Sequence, residues 1–402
     1  MRAVRAAFLY CALIIVVMCI GEACSGWAEY VRFLRKGTRF NLFYKVPFLA
    51  HRVRPGFERD YEKGRVKVNS LGFRGKEFSV KKPYGVFRII CIGESTTFGV
   101  GCSSNGTTYP ALLEKKLNAA LGESGATIEV INAGIPSYSS LQCLTFQGLE
   151  CMPLEPDLII IYTGWNEMGE GICKGWNSDY RYGFRVSPFK ERQVSFMQFS
   201  GLEDYLHNSF FLKRLTKIAE KSRKAFGRIV PSLAKEPPPR LPEYEAGSEV
   251  NTRALGVWEN NLRNMAAMAK GRGCRVLFFS WPQLLNVGES AAESGALSLP
   301  LGKGGTPYQS AGAAPIQGVI MRDEGFRKLW MLSYVRYQER LQKLAREEKV
   351  FFYDAASRYK GIDNVPLYYD EIHLTDQGNE VLAKGLSDFI DKTLGAEIAT
   401  GE

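Results

Sequence analysis

The stretch RIICIGESTTFG, residues 88–99, decides the fold, because an apolar run of strand type stops there at a glycine, an acid and a serine. Runs that are apolar at successive positions are typical of strands buried on both faces of a parallel sheet. The tripeptide Gly-Glu-Ser also occurs at 122–124 and 288–290, where no such run precedes it. We therefore interpret Ser95 as a residue held at the end of a buried strand.

Further apolar runs of strand type follow along the chain, and helical patterns lie between them. The predicted strands cover 86–93, 127–132, 157–164, 275–281 and 350–355. The predicted helices cover 109–121, 139–151, 252–272, 324–348 and 375–394. Because strand and helix alternate, we predict an α/β fold, a three-layer doubly wound (flavodoxin-like) parallel sheet of about five strands. The segments 167–250 and 283–322 exceed ordinary connection lengths, and we interpret them as helical insertions near the site or as mobile lids.

The N-terminal segment, residues 1–25, contains the longest apolar run of the chain, 6–21, which follows Arg2 and Arg5. This run is just shorter than the roughly 20 residues of a comfortable membrane span. It is interpreted as a retained membrane anchor or a cleaved signal segment, and the lack of an A-x-A cleavage site favours the anchor. We expect a membrane-anchored protein whose main domain is extracytoplasmic, in the cell envelope or periplasm.

Positive charge is concentrated after the apolar run. Residues 26–90 carry sixteen Lys and Arg against five Asp and Glu, whereas the whole chain has a net charge of +10. We therefore divide the rest of the chain into a basic juxtamembrane segment, 26–85, and a main domain, 86–395. The basic segment either contacts anionic lipid head groups or an anionic envelope polymer, or is a solvated, partly unfolded linker. Its position favours a membrane surface over nucleic acid, so no nucleic-acid partner is expected.

The residues beyond the carboxyl ends of the strands carry the candidate chemistry, because ligands gather at this edge of an open α/β sheet. Ser95, Gly134 and Asn166 follow the first three strands, and Asp370 and His373 precede the final predicted helix. A serine hydroxyl needs an adjacent base, and imidazole suits that task. Asp370 can accept from Nδ1 of His373 and leave Nε2 facing Ser95. The N–H groups of Ser95 and Gly134 and the Asn166 amide are candidate donors to an oxyanion.

In this arrangement the sequence resembles the SGNH (GDSL-like) hydrolases over roughly residues 86–394. Four motifs correspond in order to that family's blocks I, II, III and V: Gly93-Glu94-Ser95, Asn132-Ala133-Gly134, Gly164-Trp165-Asn166 and Asp370-x-x-His373. Block I has Glu94, and Glu167 follows block III, where the commonest patterns have Asp; we assign Glu167 no role. The segment 68–75, VNSLGFRG, also resembles a leader of membrane-anchored bacterial relatives.

The resemblance implies that Ser95 is the nucleophile, His373 the general base and acid, and Asp370 its orienting partner. Ser95, Gly134 and Asn166 would form the oxyanion hole. The expected protein is a serine esterase or acylhydrolase of SGNH type that cleaves a small-molecule or glycan ester through an acyl-serine intermediate. O-acyl groups on an envelope glycan are the first substrate class to consider, followed by lipid esters and thioesters, and the sequence does not choose among them.

No cofactor or metal is expected. The nine cysteines include no CxxC pair, so neither a zinc knuckle nor a redox motif is predicted. Two alternatives stay open. An O-acyltransferase would use the same residues, because only exclusion of water from the acyl-enzyme distinguishes it. A catalytically silent exopolysaccharide assembly or binding component would keep the fold alone. The oligomeric state is not predicted.

Overall fold

A computed structural model gives the fold, and the chain divides into two compact units, Met1–Leu42 with Gly183–Glu243 and Phe43–Tyr182 with Tyr244–Glu402. The structure describes residues 10, 13, 16–25, 27, 42–46, 48–61, 64–121, 125–172, 176, 215, 249–284, 324–359 and 366–400. The predicted insertions at 167–250 and 283–322 lie almost entirely outside these residues. In the first unit, residues 16–25 are helical.

The predicted membrane anchor falls partly outside the described residues. Within the run 6–21, positions 10, 13 and 16–21 are described, and all of them are helical. In the described part of the chain, no helix is both long and apolar enough to cross a membrane. Anchoring therefore stays a prediction.

Two antiparallel hairpins open the second unit. Strand β1 (Phe43–Val46) pairs with β2 (Ala50–Val53), and β3 (Glu58–Tyr61) pairs with β4 (Gly64–Lys67). Farther along the basic segment, Lys76 forms an ion pair with Glu114 at 2.8 Å and Lys82 with Asp157 at 2.6 Å. Where it is described, the end of the basic segment is therefore folded against the main domain and is not a solvated linker.

Five parallel strands form the central sheet. They are β5 (Val86–Gly93), β6 (Thr127–Gly134), β7 (Leu158–Tyr162), β8 (Arg275–Phe279) and β9 (Phe351–Tyr353), in the spatial order β6-β5-β7-β8-β9. All neighbouring pairs are parallel. This order confirms the predicted doubly wound sheet, because the chain leaves β5 for one neighbour and then crosses to the other. Ile89, Ile90 and Ile160 are fully buried, as expected for a sheet covered on both faces.

Seven α-helices are described in the second unit. They are α1 (Ser95–Phe98), α2 (Tyr109–Leu121), α3 (Ser140–Phe146), α4 (Trp165–Gly171), α5 (Thr252–Lys270), α6 (Glu324–Glu347) and α7 (Asp376–Thr400). Helix α2 packs with α7, and α5 packs with α3, α4 and α6. The predicted helices at 109–121, 252–272, 324–348 and 375–394 are confirmed, and the last continues to Thr400. The one predicted at 139–151 changes after Phe146 to a π-helical turn, Gln147–Cys151, where the Gln147 amide donates to Met265 O at 2.9 Å.

The strand register places the carboxyl ends of β5, β6 and β7 side by side. Gly93, the last residue of β5, is aligned with Gly134 of β6 and with Tyr162 of β7. Residues that follow these three strands therefore meet at one edge of the sheet, at the point where the strand order reverses.

Candidate active site

Ser95 begins α1 directly after β5 and is half-buried. The one-turn helix lies close across the strand ends because two glycines leave room for it. A Cβ atom on Gly93 would lie 2.1 Å from Thr97 Oγ1, and one on Gly134 would lie 2.1 Å from the backbone nitrogen of Phe98. Any larger residue would displace α1, so these glycines set Ser95 on a tight strand-to-helix turn.

Asp370 and His373 lie in a turn that precedes α7. The Tyr369 N–H donates to His373 O at 2.8 Å, which closes the turn. Inside it, Asp370 Oδ1 accepts the N–H groups of Ile372 at 3.0 Å and of His373 at 2.8 Å. A side chain that binds its own backbone two and three residues on is a common turn-forming device of Asp. The local sequence thus fixes the carboxylate beside the imidazole.

The structure brings Ser95, His373 and Asp370 together, although 278 residues separate the serine from the histidine. His373 Nε2 lies 2.8 Å from Ser95 Oγ, and His373 Nδ1 lies 2.7 Å from Asp370 Oδ2. Because a carboxylate can only accept, Nδ1 carries the proton and Nε2 presents its lone pair to the serine hydroxyl. The three side chains form one continuous hydrogen-bonded chain.

Two neighbouring carboxyl groups have opposite pKa shifts here. Burial would raise the pKa of Asp370, but the charge of His373 and the hydrogen bonds from His373 and Ile372 outweigh it and hold the pKa below its ordinary value. Burial and the Asp370 charge raise the pKa of Glu371 to about 7, against a smaller lowering by His373. Asp370 is therefore anionic at neutral pH, whereas Glu371 titrates there.

The predicted oxyanion donors lie at the same edge, with different hydrogen-bond partners. Asn166 Nδ2 donates to Tyr138 O at 2.6 Å, and because an amide nitrogen carries two hydrogens, a second N–H remains for another acceptor. The Gly134 N–H donates to Asn132 Oδ1 at 3.0 Å, so this donor is engaged. The Ser95 N–H is in the first turn of α1, where N–H groups have no acceptor within their own helix.

Behind this edge lies Glu94, for which no role is predicted from the sequence. Its side chain is 1% exposed. One carboxyl oxygen, Oε1, accepts the Thr163 hydroxyl at 2.6 Å and the Gly164 N–H at 2.6 Å, while Oε2 accepts the Asn166 N–H at 3.1 Å. Glu94 therefore fixes the turn that begins α4 and presents Asn166.

Glu167, the other departure from the family pattern, is also fully buried and accepts the backbone N–H of Ser140 at the start of α3. Burial and the Glu167 charge raise the pKa of Glu94 to about 8, against smaller lowering by the hydrogen bonds from Thr163, Gly164 and Asn166. The buried pair of carboxyl groups therefore holds a proton more tightly than an exposed glutamate does. The signal that could have found both acids is their place in sequence, one directly before Ser95 and one directly after Asn166.

No metal site or thiol chemistry is predicted from the sequence. Among the residues that the structure describes, no group of three or more His, Cys, Asp or Glu side chains is placed to hold a metal ion. The described cysteines are free thiols, at positions 19, 24, 91, 102, 143, 151 and 274. The expectation that the chemistry uses no cofactor stays a prediction.

The sequence matches a known protein family over the region that contains the site. The sequence model of the GDSL-like Lipase/Acylhydrolase family matches residues 91–381, which is more than half of the chain and includes all five predicted site residues. The chain therefore belongs to the GDSL-like lipase/acylhydrolase family, a family of hydrolases. No curated protein matches the chain.

Solved structures of low sequence identity resemble the fold only distantly. A GDSL-like lipase from Bacteroides thetaiotaomicron is 13% identical and aligns over 77% of this chain and 89% of its own, with a TM-score of 0.36. A lipase/acylhydrolase from Enterococcus faecalis is 12% identical over 76% and 95%, with a TM-score of 0.39. An acetyl xylan esterase from Geobacillus stearothermophilus is 14% identical over 78% and 97%, with a TM-score of 0.39.

Proposed function

We propose that this chain is a serine esterase that cleaves an ester through an acyl-serine intermediate on Ser95. The observation that carries the proposal is the chain of hydrogen bonds from Asp370 through His373 to Ser95, at 2.7 Å and 2.8 Å. Membership of the acylhydrolase family supports the class of reaction. Ser95 itself is half-buried, whereas the residues on either side of it, Glu94 and Thr96, are buried.

In the first half-reaction, Ser95 Oγ attacks the ester carbonyl carbon while His373 Nε2 takes the hydroxyl proton. Asp370, anionic at neutral pH, stabilises the imidazolium that results and holds its orientation. The tetrahedral intermediate then collapses, the alkoxide leaves, and His373 returns the proton to it. An alcohol departs and the acyl group stays on Ser95.

In the second half-reaction, water attacks the acyl carbon and His373 Nε2 takes the proton from the water. The intermediate collapses, Ser95 Oγ leaves and regains its proton from His373, and a carboxylic acid is released. Atoms and protons balance over the two steps without a further reactant. The net reaction is hydrolysis of one ester bond.

The oxyanion of both intermediates needs donors that are already in place. We assign this role to the Ser95 N–H and the second amide N–H of Asn166. The Gly134 N–H would join them only by exchanging Asn132 Oδ1 for the substrate oxygen, because it donates to that side chain at 3.0 Å. Glu94 supports the Asn166 donor by holding its backbone.

The experiment is hydrolysis of p-nitrophenyl esters of increasing acyl length by the full chain, with Ser95→Ala and His373→Ala as matched variants. Each triad variant should lose most of the rate, by a factor on the order of 10³ or more. Covalent labelling of Ser95 by a fluorophosphonate, followed by peptide mass spectrometry, identifies the nucleophile directly. A wild-type rate no greater than that of Ser95→Ala would contradict the esterase.

In that case, acyl transfer to a sugar acceptor distinguishes an O-acyltransferase from a catalytically silent component. If Ser95 is labelled and the acyl group appears on the acceptor, the transferase is the better assignment. If Ser95 is neither labelled nor acylated, and Ser95→Ala complements a deletion in cells, the chain acts through binding alone.

We further propose O-acyl groups on an envelope glycan as the substrate class, with the domain placed outside the cytoplasmic membrane. The N-terminal apolar run, 6–21, supports this location. Release of acetate from an O-acetylated polysaccharide at a higher kcat/KM than from p-nitrophenyl acetate would support the substrate class. Digestion of the domain by protease added to the cytosolic side alone would contradict the location.

A further inference from the structure

Arg74, in the leader segment 68–75, lies against the helix that carries Ser95. Its side chain is 4% exposed. Nη1 donates to Phe98 O at 2.9 Å and to Gly99 O at 2.8 Å. These two carbonyl groups belong to the last residue of α1 and to the residue that caps it, so Arg74 binds the carboxyl end of the nucleophile helix.

The other guanidinium nitrogens of Arg74 bind the loop that follows α1. Nε donates to Asn105 Oδ1 at 3.0 Å, and Nη2 donates to Ser104 O at 3.1 Å. The guanidinium carbon also lies 5.0 Å from the ring centre of Phe98, a distance at which a cation is attracted to the ring face. One planar side chain thus joins the helix end to the loop, a geometry that the ammonium of lysine cannot reproduce.

The charge on Arg74 suits this position. Burial lowers the pKa of Arg74 to about 10, and the neighbouring Cys102 and Asp376 raise it by less. The guanidinium is therefore cationic at neutral pH. A cation is favourable at the carboxyl end of a helix, because the last carbonyl groups carry partial negative charge and have no N–H partner in the helix.

Helix α1 needs such support because it is one turn long. A first helical turn fixes several backbone dihedral angles for very few hydrogen bonds, so it is unfavourable by itself. Asn132 Nδ2 also donates to Phe98 O, at 3.3 Å, from the β6 side. The end of the helix is held by Arg74 and Asn132 together, and Ser95 lies only three residues before Phe98.

The leader segment in turn holds Arg74 in place. Asn69 Oδ1 accepts the N–H groups of Leu71 at 3.0 Å and Phe73 at 2.9 Å, and Asn69 Nδ2 donates to Lys76 O at 3.0 Å. Gly72 has a φ of +85°, which glycine adopts without strain. The pattern Asn-x-x-Gly-x-Arg therefore builds a fixed loop from which the guanidinium reaches α1.

We propose that Arg74 is a positioning residue for Ser95, and that the leader segment 68–75 is part of the support of the active site. This inference rests on the proposed function of Ser95 as nucleophile. Arg74 touches no reacting atom; it keeps α1, and with it the Ser95 hydroxyl, in line with His373 Nε2. Its loss should lower kcat, because the bound substrate meets a displaced nucleophile, and should leave KM almost unchanged.

The test compares Arg74→Lys with Arg88→Lys in the full chain. Arg88 is a matched control, because it is also buried and also binds backbone carbonyls, at the opposite end of β5. Arg74→Lys should lower kcat for p-nitrophenyl acetate by about 10- to 100-fold with KM almost unchanged. Arg88→Lys should lower the melting temperature but keep the wild-type kcat per folded molecule. Ser95→Ala is measured in parallel.

Wild-type kcat in Arg74→Lys, with the expected loss in Ser95→Ala, would overturn this inference and leave the proposed function intact. A wild-type rate in Ser95→Ala would overturn both. If Arg74→Lys does not fold, Asn105→Ala gives the second test, because it removes the acceptor of Arg74 Nε from a half-buried position. It should lower kcat by a smaller factor with KM unchanged, and a wild-type kcat would count against Arg74.

Discussion

An ionisable side chain is buried at each end of β5, and the two side chains have different kinds of partner. At the amino end, fully buried Arg88 donates from Nε to Glu129 at 2.6 Å and from its Nη atoms to carbonyl oxygens. At the carboxyl end, Glu94 accepts hydrogen bonds from a hydroxyl and two backbone N–H groups. It also interacts electrostatically with Glu167, which raises its pKa.

The difference is between a buried ion pair and a buried pair of carboxyl groups. The cation of Arg88 meets an anion and several carbonyl groups, an arrangement that stabilises only this packing of strand and loops. Glu94 instead shares a buried region with a second carboxyl group, which shifts its protonation into the neutral range. Shifted groups of this kind cluster where a site is built, and Glu94 is adjacent to Ser95.

The largest effect is expected from Asp370→Asn at the carboxyl edge. Asparagine keeps the shape and can still accept backbone N–H groups, but it cannot stabilise the imidazolium or hold the required tautomer. The value of kcat for p-nitrophenyl acetate should fall on the order of 10⁴-fold. Circular dichroism should show an unchanged fold. A kcat close to that of the wild type would contradict the proposal that Asp370 orients His373 as the base.

At the amino end, Arg88→Met should act on stability alone. It leaves Glu129 and the carbonyl groups without their cation, which costs about 3–5 kcal/mol in the free energy of unfolding. Urea unfolding measures the loss, and kcat per folded molecule should not change. Lys82→Met is the control, because Lys82 and Asp157 are a partly exposed pair worth about 1 kcal/mol or less. Equal losses in the two variants would contradict the structural role of Arg88.

At the carboxyl end, Glu94→Gln tests whether the Glu94 carboxyl group makes stability depend on pH. Because the folded pKa, about 8, lies above the ordinary 4.5, the native state keeps a proton that the unfolded chain releases. The wild type should therefore lose stability as the pH rises from roughly 5 to 8. Glutamine removes the titrating group, so urea unfolding at several pH values should show a flatter dependence.

Thr163→Val gives the companion measurement. The Thr163 hydroxyl donates to Glu94 and lowers its pKa, so its removal should extend the fall in stability to higher pH. A Glu94→Gln profile as steep as that of the wild type would assign the pH dependence to another group.

The smallest effect is expected from Glu371→Gln. Glu371 has a pKa of about 7 and interacts with His373, so its anion favours the protonated imidazole. Removing the anion should move the acidic limb of the kcat/KM profile to lower pH, by less than about one unit. The profile is measured between pH 5 and 9 with p-nitrophenyl acetate. A shift to higher pH would contradict the proximity of Glu371 to the base.

Much of the fold follows from local patterns. The run 86–93 is apolar at most positions because both faces of β5 are covered, and its end at Gly93 coincides with the end of the strand. The site could be anticipated because the switch in strand order gathers the residues after β5, β6 and β7 at one edge. Ser95, His373 and Asp370 meet there as predicted from the sequence, while their catalytic roles await the assays above.

Contacts between distant segments could not be predicted in the same way. The cations Lys76 and Lys82 suggest an anionic surface when only the sequence is considered, yet their partners are Glu114 and Asp157, which lie 38 and 75 residues away. Arg74 binds backbone carbonyl groups of α1. Because every residue has such a group, the residue types in the sequence do not reveal this contact. Glu94 and Glu167 lie in or beside the motifs, but their mutual burial depends on contacts between distant segments, such as the Ser140 N–H that Glu167 accepts and the Asn166 N–H that Glu94 accepts.

The separation of 278 residues between Ser95 and His373 also has a consequence for synthesis. Chains grow at about 5–20 residues per second, so the base is added roughly 14 to 56 s after the serine. During that interval a nascent chain carries the hydroxyl and its strand-end turn but lacks His373, the base proposed to activate it. The enzyme proposed here is therefore inert while it is being made, and it gains reactivity only when the turn that contains Asp370 and His373 docks beside α1.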